Sequence, residues 1–236
     1  MIRDRIHYIQ DQMADAAAKA GRDLSEITLI GVTKTVEAEV INEAIDAGIT
    51  CIGENRVQEL LQKLDALKPV EKHLIGTLQS NKAQSIIDVV TLIHSLDRLR
   101  LAQKLHELAE KRGQCIDVLV QVNIGMEDTK SGINPQDLLG FLDELQPLSG
   151  IRVKGLMCIP PFCQLDEARA YFERTRELAQ RAQIRHYEHM TFDVLSMGMS
   201  HDFQQAICAG ATHIRVGQAI FGRRNGTGKR ENLEEL

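Results

Sequence analysis

The sequence predicts an α/β protein built as a single closed (β/α)8 barrel of the TIM type. Short runs rich in Val, Ile and Leu alternate along the chain with segments that have the apolar period of an amphipathic helix. Eight such runs occur, and their near-continuous apolar character is typical of parallel strands covered on both faces. The length of 236 residues matches the roughly 200 to 250 residues that such a barrel needs. A doubly wound open sheet is the competing fold.

The elements follow in a regular order. The chain begins with an amphipathic surface helix that ends at Gly21, since glycine commonly stops a helix. The predicted strands cover residues 27–34, 49–56, 72–78, 89–96, 116–124, 151–159, 191–198 and the start of 212–222. The predicted helices cover residues 36–48, 57–67, 81–87, 98–112, 135–145, 165–184 and 201–209. The eighth strand has no clear following helix, and the N-terminal helix could fill that place in the outer ring. We expect one domain over residues 1–224 and a polar C-terminal tail over residues 225–236.

Composition and charge exclude several classes of protein. The net charge of −5 argues against a nucleic-acid binder of the basic-patch kind. No apolar run reaches the roughly 18 residues of a membrane span, so no membrane association is expected. The five cysteines form no CxxC pair, their number is odd, and no signal peptide is visible at the N-terminus. These features predict reduced thiols in a cytoplasmic protein.

Lys34 is the first candidate functional residue, because its ammonium group follows the first apolar strand, "ITLIGVT", directly. Lysine is strongly hydrated and is rarely buried without a partner. By strand alternation Lys34 shares a face with Ile30 and Val32, so it would lie above the barrel interior if these two residues fill the core. Partly buried there, a neutral amine could attack an aldehyde and form a Schiff base. A solvated surface lysine is the alternative, and the residues alone leave both possibilities open.

The segment "SMGMS", from Ser196 to Ser200, follows the seventh strand and is the second candidate. In (β/α)8 barrels the loops after strands seven and eight often hold a phosphate group. Gly198 allows close approach of a ligand, and the two serine hydroxyls can donate hydrogen bonds. Ser200 would also suit the N-cap of the next helix, whose free N–H groups favour an anion, and Gly217 leaves open backbone after strand eight. An ordinary serine cap with turn glycines is the alternative.

Together these two features predict a phosphorylated aldehyde as the ligand, and pyridoxal 5′-phosphate (PLP) carries both groups. Arg215, in the eighth strand, could then face the ring nitrogen, since PLP sites place Asp or Arg there. A cationic arginine disfavours protonation of that nitrogen, which makes the ring a poorer electron sink. An ion pair elsewhere in the barrel is the alternative role for Arg215.

Five motifs that occur in order along the chain resemble those of the pyridoxal phosphate homeostasis protein family, which is related to the alanine racemase barrel. They are "IGVTKTV", "IGENRVQE", "HLIGTLQSNK", "LSMGMSHD" and "IRVGQAIFGRR", and the resemblance covers roughly residues 1–224. It implies an alanine racemase N-terminal-domain-like barrel with PLP held as a Schiff base on Lys34. The further cofactor-binding positions that it implies are Asn55, His73, Asn81, Ser196, Ser200, Arg215, Gly217 and Gln218.

The resemblance also implies a regulatory function. Family members bind and supply PLP and keep intracellular vitamin B6 and amino-acid pools in balance, with no expected turnover; PLP-dependent apoenzymes are the candidate recipients. Related racemases add a C-terminal domain that contributes a tyrosine base across a dimer interface. We expect a monomer, because that partner domain is absent. We also expect no such base, since Tyr8, Tyr171 and Tyr187 fall on predicted helices or on a loop beyond one. A racemase acting as a lone barrel and an aldolase that uses Lys34 directly are the alternatives.

Two positions depart from the family pattern. Thr77 replaces a usual proline, and Gln218 replaces a usual threonine after the glycine of the last motif. If that threonine helps to hold phosphate, Gln218 must use its amide or leave the task to backbone N–H groups, so we expect weaker cofactor retention. His73 lies early in a strand, which favours hydrogen bonding over proton transfer. His186 and His189 are expected at the surface rather than on zinc.

Overall fold

The barrel predicted from the sequence is present in the computed structural model, which describes residues 1–222. The expected tail over residues 225–236 and the last two residues assigned to the barrel lie outside this range. The strands are β1 Thr28–Val32, β2 Cys51–Glu54, β3 Glu71–Leu74, β4 Leu92–Leu96, β5 Ile116–Val122, β6 Ile151–Cys158, β7 Met190–Met199 and β8 His213–Val216. Each pairs in parallel with the next, and β8 pairs with β1. The sheet is therefore a closed barrel and not a doubly wound open sheet.

The helices form the outer ring. They are α1 Ile2–Lys19, α2 Ala38–Asp46, α3 Val57–Lys63, α4 Leu99–Arg112, α5 Leu138–Leu145, α6 Leu165–Gln183, α7 Phe203–Cys208 and α8 Gln218–Phe221. Short 3₁₀ helices cover Leu24–Glu26, Leu64–Ala66 and Ser80–Ser85, and the last of these lies where a short helix was predicted. Within residues 1–222, no helix has both the length and the apolar character that a membrane crossing requires.

The ring is completed at the point where the sequence left a gap. The short helix α8 follows β8, so the prediction that no helix follows this strand was wrong; four residues are too few to show a helical period. Helix α1 packs against α7 and α8 and fills the remaining space, as predicted. Arg5 of α1 donates to the backbone carbonyl of Ile220 at 3.3 Å, and Arg22 donates to that of Ala211 at 2.7 Å. Gly21 stops α1 with a φ of +66°.

The barrel interior is only partly apolar. A small cluster formed by Leu92, Leu119 and Met157 lies apart from the main core, which fills the space between strands and helices. Leu92 pairs in register with His73, so these two side chains share the inner face of the sheet. Branched apolar side chains usually fill such interiors. This barrel instead places several polar side chains there, and they support the site described next.

Candidate functional site

Lys34 lies at the carboxyl end of the barrel, in a turn formed by Thr33, Lys34 and Thr35, which we call the lysine turn. β1 ends at Val32, two residues earlier than predicted, so strand alternation no longer governs the direction of the lysine. The Lys34 side chain is exposed, and the partial burial expected from its shared face with Ile30 does not occur. Thr35 has a φ of +59°, in the left-handed region. The turn therefore presents the amine to solvent at the mouth of the barrel.

Three charged side chains hold the lysine turn through groups next to the lysine. Thr33 donates its hydroxyl to the Glu54 carboxylate at 2.9 Å, and the Thr33 carbonyl accepts from the Lys63 ammonium at 3.0 Å. The Thr35 N–H donates to the Glu59 carboxylate. Left-handed backbone is unfavourable for a residue other than glycine, and such strain persists only where the surroundings fix it. These contacts supply that restraint.

The same three residues form an ionic network, in which Glu54 is buried and Lys63 and Glu59 are partly buried. The Lys63 ammonium lies 2.9 Å from a Glu54 oxygen and 2.7 Å from a Glu59 oxygen. Burial raises the pKa of Glu54, with the hydrogen bond from Lys63 acting against it. Burial also acts to raise the pKa of Glu59, but hydrogen bonds from Lys63 and the Thr35 N–H outweigh this effect and lower the pKa. This network was not predicted from the sequence, although Glu59 and Lys63 stand four residues apart on α3, the spacing of a helical ion pair.

On the opposite side of Lys34, β8 contributes a fixed buried cation. Arg215 is 4% exposed and pairs in register with Ile30 of β1. Its guanidinium donates to the Ser196 hydroxyl at 2.6 Å and to the Cys158 carbonyl at 2.8 Å, both of them neutral acceptors. Burial lowers the pKa of Arg215, yet a guanidinium stays protonated in proteins. Arg215 is therefore a positive charge fixed inside the barrel beside the lysine strand.

The segment "SMGMS" has a different arrangement from the one predicted. Ser196 is fully buried in β7, and its hydroxyl contacts both Arg215 and His94. Ser200 is half-buried beyond the strand, but it does not cap α7, so that prediction was wrong. The helix begins at Phe203 after Asp202, whose carboxylate accepts from the Met199 N–H at 2.6 Å.

Glycine lies at the end of β7 and directly after β8. Gly198 has a φ of +91°, and a Cβ there would lie 2.5 Å from the Cβ of Ala206, so a side chain does not fit. Gly217 directly precedes α8, and Gln218 is the exposed first residue of that short helix. Gly198 thus packs against α7, whereas the first backbone N–H groups of α8 lie at the mouth of the barrel, where an anionic group can reach them.

The remaining predicted residues separate into two places. Asn55 directly follows β2 and is half-buried, and Asn81 is exposed in the 3₁₀ helix between β3 and β4. His73 lies inside the barrel, where its ring contacts Glu71 and His94. The structure thus gathers Lys34, Asn55, Ser200, Gly217 and Gln218 at the mouth, places Arg215 and Ser196 beneath it, and keeps His73 in the interior. His186 and His189 are exposed in the loop before β7, as expected for surface residues.

These residues fit a phosphorylated aldehyde with a ring nitrogen. Lys34 offers an accessible amine for the aldehyde, Ser200 offers a hydroxyl, and the first backbone N–H groups of α8 offer donors for a phosphate. Arg215 has only neutral acceptors among its side-chain hydrogen bonds, so its charge is available to a ring acceptor. The three functions lie on neighbouring strands, because β7, β8 and β1 are adjacent in the barrel.

Comparison with known proteins agrees with this geometry. A family model described as "Alanine racemase, N-terminal domain" matches residues 9–225. The pyridoxal phosphate homeostasis protein of Aquifex aeolicus (strain VF5) is 43% identical to the chain over 94% of this chain and 97% of that protein. The protein of the same name from Escherichia coli (strain K12) is 38% identical, over 95% of this chain and 97% of that protein.

Solved structures show the same similarity. PipY of Synechococcus elongatus PCC7942, solved with PLP bound, has a TM-score of 0.82 and 34% identity, over 94% of this chain and 100% of PipY. Alanine racemase of Clostridium difficile 630 has a TM-score of 0.69 at 15% identity, over 95% of this chain and 58% of that enzyme, which shows the fold alone. With these identities over nearly its whole length, the chain belongs to the pyridoxal phosphate homeostasis protein family, whose barrel is that of the alanine racemase N-terminal domain.

Proposed function

We propose that this chain binds PLP at the mouth of its barrel and acts in the homeostasis of PLP and amino acids. The observation that carries the proposal is the exposed Lys34 amine in the turn after β1, beside the strand β8 that carries the buried and neutrally bonded Arg215. The names of the relatives and the PLP bound to PipY support the same ligand. Delivery to apoenzymes in the cytoplasm, by a monomer, is part of this proposal.

The residues at the mouth have distinct tasks in this proposal. Bound PLP supplies an aldehyde that reacts reversibly with amines. The Lys34 amine would hold PLP through that aldehyde, and the displaced oxygen would leave as water. Ser200 and the backbone N–H groups around Gly217 and Gln218 hold the phosphate. Arg215 would face the ring nitrogen, where its fixed positive charge would disfavour protonation of that nitrogen.

The tyrosines of the chain favour a binding function over racemisation. A racemase moves a proton on each face of its substrate, so it needs a second base opposite the lysine. Tyr8 lies in α1 and Tyr171 in α6, both in the outer ring. Tyr187 precedes β7, at the amino end of the barrel, where its hydroxyl donates to Asp143 at 2.8 Å. Burial and Asp143 raise the pKa of Tyr187 to about 12, so its hydroxyl stays protonated and is not available as a base.

Reduction with borohydride tests the attachment of PLP. The protein is mixed with excess PLP, reduced, digested and mapped by mass spectrometry. We expect a visible absorbance band before reduction and a reduced adduct on the Lys34 peptide. Lys34→Ala should lose both, whereas Lys82→Ala, which removes a lysine from the 3₁₀ helix after β3 at the same end of the barrel, should keep both.

Two outcomes would contradict the proposal. Wild-type protein that stays colourless with excess PLP, or an adduct on a lysine other than Lys34, would reject the site. Loss of optical rotation from an L-amino acid, abolished in Lys34→Ala, would replace the regulatory function with racemisation. A phosphorylated substrate that is cleaved without added PLP would favour the aldolase instead.

A further inference from the structure

The centre of the barrel contains a chain of buried polar side chains that the proposed ligand site does not explain. His73, His94, Ser196 and Arg215 come from β3, β4, β7 and β8, and all four are buried. A buried polar group is costly unless a hydrogen bond satisfies it. Apolar side chains would fill this space at lower cost. The contacts among these groups therefore need a separate explanation.

Four consecutive contacts join the cation at β8 to a carboxylate at the opposite end of the barrel. From Arg215 the chain runs to the Ser196 Oγ at 2.6 Å and from there to the His94 Nδ1 at 2.9 Å. The His94 Nε2 lies 3.0 Å from the His73 Nδ1, and the His73 Nε2 lies 3.1 Å from the Glu71 Oε1. Glu71 begins β3, and its side chain is 49% exposed at the amino end of the barrel. We call this set the interior chain.

The two ends of the interior chain fix the direction of every hydrogen bond in it. A guanidinium can only donate, and an ionised carboxylate can only accept. Burial acts to raise the pKa of Glu71, but hydrogen bonds from His73 and Thr91 outweigh it and lower the pKa, so the group is ionised. The Ser196 hydroxyl must then donate to the His94 Nδ1.

The same rule sets both imidazole tautomers. His94 carries its proton on Nε2 and donates to the His73 Nδ1, and His73 carries its proton on Nε2 and donates to Glu71. Burial lowers the pKa of His94 well below its ordinary value and also lowers that of His73, so both rings are neutral. The opposite direction would point a lone pair of His73 at the Glu71 carboxylate, which is repulsive.

We propose that Glu71 is a positioning residue for Arg215 and acts through the fixed tautomers of His73 and His94 and the hydroxyl of Ser196. The ordered hydroxyl turns a lone pair toward the guanidinium and so holds the cation in place. The consequence for the ligand rests on the proposed function, in which Arg215 meets the ring nitrogen of PLP. The consequence for the histidines does not, because it concerns the protein alone.

A metal ion is the competing explanation for this cluster. A sulfur of Cys51, a carboxylate oxygen of Glu71 and a ring nitrogen of His73 all lie within 4.8 Å of one another, which is compatible with a metal site. Metal binding would need the lone pair of the His73 Nε2, where the interior chain requires a proton. Burial also raises the pKa of the Cys51 thiol and keeps it neutral. The two explanations therefore predict opposite states of one nitrogen.

Long-range ¹H–¹⁵N NMR of the histidine rings, recorded on protein free of PLP, tests the proposal. His73→Gln and His94→Gln assign the two signals. We expect the Nε2–H tautomer for both rings in the wild type. Glu71→Leu should remove this preference at His73, and Glu71→Gln should restore it, since the glutamine oxygen accepts the same bond. Glu107→Leu, which replaces an exposed glutamate on α4, should leave both rings unchanged.

Binding of PLP gives the second measurement. In Glu71→Leu we expect about tenfold weaker PLP binding and a shifted visible band, because the guanidinium loses its ordered acceptor. Glu71→Gln should bind like the wild type. The borohydride adduct should still form on Lys34 in all of these variants, so a missing adduct would reject the proposed function and not this inference.

Three results would overturn the inference. An Nδ1–H tautomer on either ring in the wild type would reverse the direction of the interior chain. Unchanged tautomers in Glu71→Leu would show that the carboxylate does not set them. The third result concerns added Zn²⁺. If Zn²⁺ removed the His73 Nε2 proton in the wild type but not in Cys51→Ala, the cluster would be a metal site instead.

Discussion

The two sides of the barrel mouth hold their key cations in opposite ways. On the β1–β2 side Lys34 is exposed, and charged residues hold only the backbone and hydroxyl groups next to it. On the β7–β8 side Arg215 is buried, and neutral groups hold its guanidinium directly. A lysine that must react needs a free amine. The supporting contacts are therefore made to the neighbouring groups of the lysine turn and not to the amine itself. A cation that must only stay in place can have its own side chain fixed.

The energetic risks of the two sides also differ. The β1–β2 side depends on a buried ion pair, in which the Glu54 side chain is 1% exposed. Removing one partner of such a pair leaves an uncompensated buried charge. The β7–β8 side depends on neutral histidines, which lose their role when they take up a proton. The first side should therefore be sensitive to mutation, and the second to acid.

The largest effect that we predict comes from breaking the ion pair on the β1–β2 side. Lys63→Met keeps the length of the side chain but leaves Glu54 buried without its cation. We expect a loss of about 3 kcal/mol in the free energy of unfolding, measured from urea denaturation. The lysine turn should also loosen, which would slow formation of the adduct on Lys34.

An exposed ion pair in the same half of the barrel provides the matched control. Lys68 lies 2.6 Å from Asp46, and the two side chains are 49% and 56% exposed. Lys68→Met should therefore cost less than about 1 kcal/mol, because water screens this pair. Equal losses from the two substitutions would show that the lysine turn does not depend on a buried charge.

The second effect is a loss of stability in acid on the β7–β8 side. Burial and the neighbouring His73 lower the pKa of His213 to about 4, with Arg215 acting in the same direction and Glu71 against it. The unfolded chain has a histidine pKa of about 6.5, so between these values the unfolded state binds the additional proton. The contribution of neutral His213 to the free energy of unfolding is therefore fully present above about pH 6.5, and it is lost as the pH falls toward 4.

Urea denaturation at two pH values measures this effect. Between about pH 7.5 and pH 5 we expect His213 alone to account for a loss of about 2 kcal/mol. His73 and His94 should add to the loss, since burial lowers their pKa values too. His213→Phe should remove the part of this loss in unfolding free energy that His213 causes. The control His186→Phe, which replaces an exposed histidine, should leave the loss unchanged. A wild type equally stable at both values would contradict the assignment.

The sequence predicted the closed barrel and the residues of its mouth, because both follow from local patterns. Strand runs repeat along the chain, and polar residues such as Lys34 and Asn55 directly follow them. It did not predict the groups that support those residues. His94 lies within a run of apolar strand residues, and nothing local shows that its ring meets Ser196 from the far side of the barrel. Such contacts depend on closure of the sheet.

Errors at the ends of elements have a related cause. Ser200 has the composition of a helix N-cap, but β7 continues to Met199 and the turn after it moves the start of α7 to Phe203. Tertiary pairing of β7 therefore decided a boundary that local propensity placed earlier. The same limit applies to the strand before Lys34, which ends before the lysine and leaves the amine exposed.

The smallest effect that we predict would sharpen the comparison at the phosphate end of the β7–β8 side. Gln218 stands where the family usually has threonine, and it is the exposed first residue of α8. A threonine hydroxyl on Cβ lies closer to the backbone than the glutamine amide does and needs less ordering to donate to a phosphate. We therefore expect Gln218→Thr to bind PLP about fivefold more tightly, equivalent to one net hydrogen bond of about 1 kcal/mol.

Spectral titration of the two proteins with PLP measures this difference, and Gln79→Thr provides the control. Gln79 is an exposed glutamine just before the 3₁₀ helix between β3 and β4. Gln79→Thr therefore makes the same change of side chain at a position away from β8. Equal affinities for the wild type and Gln218→Thr would mean that backbone N–H groups alone hold the phosphate. The gain should also survive in Glu71→Leu, because the hydroxyl acts on the phosphate and the interior chain acts on the ring. If the gain vanished there, the phosphate and ring contacts on the β7–β8 side would not be independent.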